Sequence, residues 1–139
     1  MNSTDDHIRL EHGGGGTASE DLLKEVIFPI LGTEESQGLD AALLDIGESK
    51  VAFTTDGFVV QPLEFPGGDI GKLSVCGTAN DLAVMGARPF ALAVGLILEE
   101  GLPMQVLKDI LGSLAQETRH AGIRVVAGDT KVVRKGETD

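Results

Sequence analysis

Residues 90–98 are apolar almost without interruption, and the segments after them constrain the fold more than any other part of the chain. A run of that length, bounded by Arg88-Pro89 and Gly101, fits a strand covered on both faces. Past Gly101, Pro103 suits the first turn of a helix whose stripe is Val106, Leu107, Ile110, Leu111, Leu114 and Ala115, with Gly122 as its stop. Residues 123–126 and 130–133 then read either as two strand segments broken at Gly128-Asp129 or as one strand bulged there. Strand, crossover helix and returning strand form a βαβ unit, so the expected class is α/β, with helices over one sheet face.

Earlier segments add to this pattern. Thr17 and Glu20 have capping-box spacing, and Leu22, Leu23, Val26, Ile27 and Ile30 form a helical stripe that Pro29 should kink or end. Residues 32–38 read as a polar connecting loop. Residues 41–46 and 50–60 are predicted strands separated by the turn-like Gly47-Glu48-Ser49. Phe65-Pro66-Gly67-Gly68 is a turn, and Asp69 can cap a helix running to about Gly86. Gly71, Ser74, Gly77, Ala79 and Ala83 make that helix poor in intrinsic propensity but easy for another backbone to approach, so it should be buried. Residues 1–12 are polar, without the apolar centre of a secretory signal, and Gly13, Gly14, Gly15 and Gly16 have almost no conformational preference. The expected organisation is a flexible arm over residues 1–16 and one domain over 17–139.

The charge balance narrows the function. With 11 Lys and Arg against 22 Asp and Glu, the formal net charge of -11 argues against nucleic acid held on a basic surface. It is compatible with a nucleoside triphosphate when carboxylates hold a divalent cation that bridges to the phosphates, and magnesium is the natural candidate. A lone cysteine, Cys76, suits a reducing compartment, and no apolar run reaches the roughly 18 residues needed to span a bilayer, so the expected setting is soluble and cytoplasmic.

Four aspartates stand at strand ends or in glycine-rich breaks: Asp40, Asp56, Asp81 and Asp129. Carboxylates are the hard oxygen donors magnesium takes, and four of them converging would repel one another without a cation. Taken one at a time, each also fits a turn or a helix cap. Asp81 differs because it interrupts a segment of apolar and small residues, where an ionised side chain must be paired, capping or metal-bound. The tetraglycine run could close its amides over phosphates or serve as a linker, since it lacks the lysine and preceding strand of a P-loop. Lys131 could neutralise a phosphoryl oxygen or pair with Asp129, and His12 could touch phosphate or face solvent. Cys76 reads as a small core residue rather than a nucleophile.

Together, Thr54-Thr55-Asp56, Gly77-Thr78-Ala79-Asn80-Asp81-Leu82-Ala83-Val84-Met85-Gly86-Ala87-Arg88-Pro89 and Gly128-Asp129-Thr130 resemble the amino-terminal domain of a known superfamily. It contains aminoimidazole ribonucleotide synthetase (PurM), selenophosphate synthetase and thiamine monophosphate kinase. Within it, Pro62-Leu63-Glu64-Phe65-Pro66-Gly67-Gly68-Asp69-Ile70-Gly71, Gly128-Asp129-Thr130-Lys131-Val132-Val133 and His12-Gly13-Gly14-Gly15-Gly16 are similar to the HypE family, the carbamoyl dehydratases of nickel-iron hydrogenase maturation.

The resemblance implies a PurM-like α/β domain, a mixed sheet with helices on one face, whose sheet pairs with that of a second copy into a barrel-like homodimer. It implies that Asp40, Asp56, Asp81 and Asp129 hold magnesium, and that Asn80, Asp81, Asp129 and Thr130 contact ATP. Gly13, Gly14, Gly15 and Gly16 would fold over the phosphates, with Lys131 near the transferred group. In HypE-like enzymes the amide oxygen of a thiocarbamate, carried on the protein's carboxyl-terminal cysteine, attacks the γ-phosphate of ATP. Loss of phosphate leaves a thiocyanate, and the implied partners are the carbamoyltransferase HypF and the HypC-HypD complex. Such proteins continue through a second α/β domain to that cysteine, so this chain is expected to be the nucleotide-binding and dimerising half, unable to turn over alone. The competing readings are another ATP-using member, thiamine monophosphate kinase or selenophosphate synthetase, and a non-catalytic dimerisation scaffold.

Overall fold

Two units, Met1–Leu39 and Asp40–Asp139, make up the chain. The computed structural model describes residues 7–31 and 41–137; the predicted loop over 32–38 lies outside them.

In the first unit a 3-10 turn, Leu10–Gly13, leads into α1 (Thr17–Leu22). The glycine run between them is tied locally. Gly14 N–H donates to the Glu11 carbonyl at 3.3 Å, Gly15 N–H to Ser19 Oγ at 2.9 Å, and the Ser19 hydroxyl to the same Glu11 carbonyl at 3.3 Å. Gly15 has φ +73°, a left-handed conformation in which a side chain would be strained. The N-cap is Gly16 rather than Thr17. A π-helical stretch, Leu23–Ile27, joins α1 to α2 (Phe28–Leu31). Pro29 therefore does not end the helix: a proline ring crowds the carbonyl four residues back, and the wider π turn just before it gives that carbonyl room.

In the second unit, β1 (Ala42–Ile46) and β2 (Ser49–Phe53) form an antiparallel hairpin with Ile46 opposite Ser49. Its two-residue loop has φ +62° at Gly47 and no positive φ at Glu48, the pattern of a type II′ turn, whose twist matches that of the strands. β2 stops at Phe53, well short of residue 60. A second small hairpin, β3 (Glu64–Phe65) with β4 (Gly68–Asp69), turns through Pro66 and Gly67. Gly67 at φ +99° follows a proline, as in a type II turn.

Asp69 then caps α3 (Ile70–Val84), its Oδ1 accepting from Lys72 N–H at 2.8 Å. β5 (Ala91–Glu99), α4 (Met104–Ala121) and β6 (Arg124–Val133) complete a parallel βαβ unit, with Gly122 ending α4 at φ +69°, ψ +26°. β6 is one continuous strand. Its register passes from Leu92↔Val125 to Ala93↔Ala127, so the extra residue is Val126 rather than the Gly128-Asp129 pair.

Val75, Leu114 and Ile123 form the buried core, with Ala79, Leu92 and Val94 packed on it. Alternation along β5 turns Leu92 and Val94 inward and leaves Ala93, Gly95 and Ile97 on the exposed side. The strand is thus covered by helices on one face, not two. Parallel and antiparallel pairing both occur, divided among three two-stranded ladders rather than joined in one sheet among the described residues. No helix of the described residues is long and apolar enough to cross a membrane.

Candidate functional site

The Thr54-Thr55-Asp56 segment leaves the end of β2 and lines a cleft of about 190 Å³ that Thr78, Ala79 and Leu82 of α3 close on the other side. The segment and the helix meet through polar atoms. The Thr54 hydroxyl donates to Asp81 Oδ2 at 3.5 Å, across 27 residues of sequence. Asp56 bends back on its own chain, Oδ1 accepting from Gly57 N–H at 2.8 Å. Its other oxygen, Oδ2, lies 3.9 Å from where a Cβ on Gly77 would stand. Gly77 and Asp81 are four residues apart on α3 and share one side of the helix. Both carboxylates therefore belong to one neighbourhood, with Asp81 half-buried and Asp56 exposed.

The remaining predicted site residues are placed differently. Asn80 is exposed on α3, next to Asp81 in the chain. In the β5–β6 register, Asp129 stands beside Gly95 and Lys131 beside Ile97, on the side of the ladder away from Leu92 and Val94. Lys131 Nζ donates to Asp129 Oδ2, so the ammonium is engaged by its near neighbour. Asp129 and Thr130 border a separate, open groove of about 480 Å³ against Leu111 and Leu114 of α4. Among the described residues no three acidic, histidine or cysteine side chains converge closely enough to hold a metal ion. Asp40 lies outside the described residues. Gly13, Gly14, Gly15 and Gly16 belong to the first unit, where the N–H groups of Gly14 and Gly15 are engaged locally. His12 accepts from Arg9 N–H through Nδ1 at 2.9 Å.

The carboxylates of Asp56 and Asp81 and the hydroxyl of Thr54 are hard-oxygen groups that could hold magnesium carried with a phosphate chain. That ion is usually held by one or two protein carboxylates, with phosphates and water supplying the remaining ligands. Three residues at this meeting point carry no expected site role from the sequence: Thr54, Phe58 and Gly77. The first was legible as a hydroxyl beside a candidate ligand; the other two act through packing, which no spacing in the sequence displays.

Known proteins are similar to this chain over nearly its whole length. A carbamoyl dehydratase HypE of Rhodobacter capsulatus is 51% identical over 138 residues, covering 97% of this chain and 41% of that protein. Of solved structures, a HypE-HypF complex matches with TM-score 0.76 and 47% identity over 85% of this chain and 38% of its own. HypE in complex with ATP matches with TM-score 0.64 and 45% identity over 96% of this chain and 40% of its own. The chain spans about two fifths of the length of the curated relatives it matches. Residues 38–139 match the AIR synthase related protein, N-terminal domain. On that match the chain belongs to the AIR synthase related family, of which it carries the amino-terminal domain.

Proposed function

We propose that this chain is the ATP-binding amino-terminal half of a HypE-like carbamoyl dehydratase. The observation that carries the reading is the meeting of Thr54-Thr55-Asp56 with Asp81 on α3, in a chain half identical to named dehydratases. In the whole enzyme, ATP bound with magnesium supplies a phosphoryl group that turns the amide oxygen of a cysteine thiocarbamate into a good leaving group on the way to thiocyanate. The part played by this chain is to bind and orient. Asp56 and Asp81 take the cation, Thr54 fixes one carboxylate, and Asn80 stands at the rim for nucleotide contact.

The roles of Asp40, Asp129, Thr130, Lys131 and the glycines at 13–16 in the same chemistry rest on the family resemblance. Lys131, held by Asp129, would have to exchange that partner for a phosphoryl oxygen. In this scheme this chain, which spans about two fifths of its relatives' length, binds nucleotide without turnover.

A homodimer is part of the proposal. Ile97 is 70% exposed on the uncovered side of β5, and Leu43, Ile46 and Phe53 of the first hairpin are also exposed. Apolar surface of this extent is what a second copy would cover. HypF is the partner we assign on the strength of the HypE-HypF relative, and the HypC-HypD complex on the family resemblance. We place the protein in the cytoplasm, where Cys76 stays reduced.

Calorimetric titration of the chain with ATP, with and without magnesium, tests the reading. Saturable binding that strengthens with the cation is expected. No binding under either condition would leave the dimerising scaffold as the better account.

A further inference from the structure

Gly77 lies in the middle of α3, where glycine costs about 1 kcal/mol relative to alanine, yet alanine could not stand there without a collision. A Cβ at this position would come 2.6 Å from both Cε1 and Cζ of Phe58. The ring edge of Phe58 thus occupies the space a side chain on α3 would take. Phe58 is two residues beyond Asp56 on the segment leaving β2, and Asp56 Oδ2 lies 3.9 Å from the same Cβ position. Elsewhere among the described residues Asp56 is tied to its immediate neighbour, by the Gly57 N–H contact, which fixes its rotamer but not its place over the helix.

We propose that the seating of the Phe58 ring on Gly77 is the device that holds Asp56 over α3, one helical turn from Asp81, and that Phe58 and Gly77 are positioning residues for the cation-phosphate site. The inference rests on the function proposed above. Its physical basis is that two carboxylates do not approach each other unaided. Their repulsion favours a splayed arrangement whenever the cation is absent, and a packed ring on rigid helical backbone opposes that splay at no electrostatic cost. A glycine is required because only its absent side chain lets the ring come down to the backbone.

The test uses the whole chain in three measurements. In solution, magnetic resonance should show cross-relaxation between the Phe58 ring protons and the Gly77 α-protons; its absence overturns the proposal whatever the protein binds. Titration of Gly77→Ala and Phe58→Ala with ATP should show at least a tenfold loss of affinity in the presence of magnesium and little change without it. The double variant should be no worse than the weaker-binding single one, because both changes remove one device. Thermal melting of each variant separates this from unfolding.

Wild-type affinity in both single variants, or equal losses with and without magnesium, would overturn the positioning role while leaving the nucleotide site intact. Failure of the wild-type chain itself to bind magnesium-ATP would instead overturn the function proposed above, and this inference with it, even if the ring contact were seen.

Discussion

Gly71 of α3 faces the carbonyl oxygen of Ile110 on α4 so closely that a Cβ at position 71 would fall well inside van der Waals contact with that oxygen. The oxygen belongs to helical backbone and cannot swing aside as a side chain could. The α3–α4 pairing, which sets where α3 presents Gly77 and Asp81, is therefore fixed by a glycine remote from the cleft.

Replacing that glycine should reverse the usual sign of a helical Gly→Ala change. Gly71→Ala is expected to destabilise by about 1–3 kcal/mol, a drop of several degrees in Tm. Gly112→Ala on α4, where nothing lies within 4 Å of the added methyl, should stabilise by about 0.4–1 kcal/mol. Thermal denaturation of the two variants side by side checks the contrast; shifts of the same sign would refute the close-approach account.

Asp69 satisfies an amide at the start of α3 through its 2.8 Å contact with Lys72 N–H. Asp69→Ala should cost about 1 kcal/mol, and Asp69→Asn, also a good N-cap, only a fraction of that. Urea denaturation curves give both numbers, and equal losses would mean that the side chain does something other than cap.

Asp81→Asn keeps the shape and removes the charge. If Asp81 holds the cation, affinity for magnesium-ATP should fall at least tenfold, about 1.4 kcal/mol, with the melting temperature nearly unchanged. A titration curve that overlays the wild type would remove Asp81 from the site.

The Thr54 contact with Asp81 is long, at 3.5 Å, so its contribution should be modest. Thr54→Val is expected to weaken magnesium-ATP a few-fold, with Thr54→Ser close to wild type. A loss in Thr54→Ser with Thr54→Val close to wild type would point to the methyl group, and so to packing, rather than to the hydroxyl.

Local instructions in the sequence were followed where the physics is local. Asp69 as a cap, Gly122 as a left-handed stop, the Gly47 turn and the stripe of α4 each depend on residues within about one turn of one another. Pro29 misled as a possible helix end, though not as a point of disruption, because its clash concerns a single carbonyl, and a π turn over Leu23–Ile27 relieves it without ending the helix. The bulge misled in a similar way. Gly128-Asp129 looks like a break, but Gly128 pairs with Val94 at close quarters, its would-be Cβ 3.0 Å from the Val94 carbonyl, so the ladder runs through it and the extra residue falls at Val126.

The candidate site divides along the same line. Asp56 and Asp81 could be chosen from their setting in the chain, one beside a strand end and one interrupting a small-residue helix, and the family pattern around them named a chemistry. Which aspartates share a neighbourhood could not be chosen that way. Asp129 resembles the others in sequence, yet the β5–β6 register puts it beside Gly95 with Lys131 as its partner, and it borders a different groove from the cleft that Asp56 lines.

The amino-acid sequence alone determined the kinds of element, most of their ends and the family, because each depends on short-range propensity or on motifs that survive as strings. Tertiary structure alone decided that Phe58 rests on Gly77, that α3 meets α4 at Gly71, and that only one side of β5 is covered. Those outcomes depend on distances between residues far apart in the chain, and excluded volume acts on such distances only after the backbone has folded.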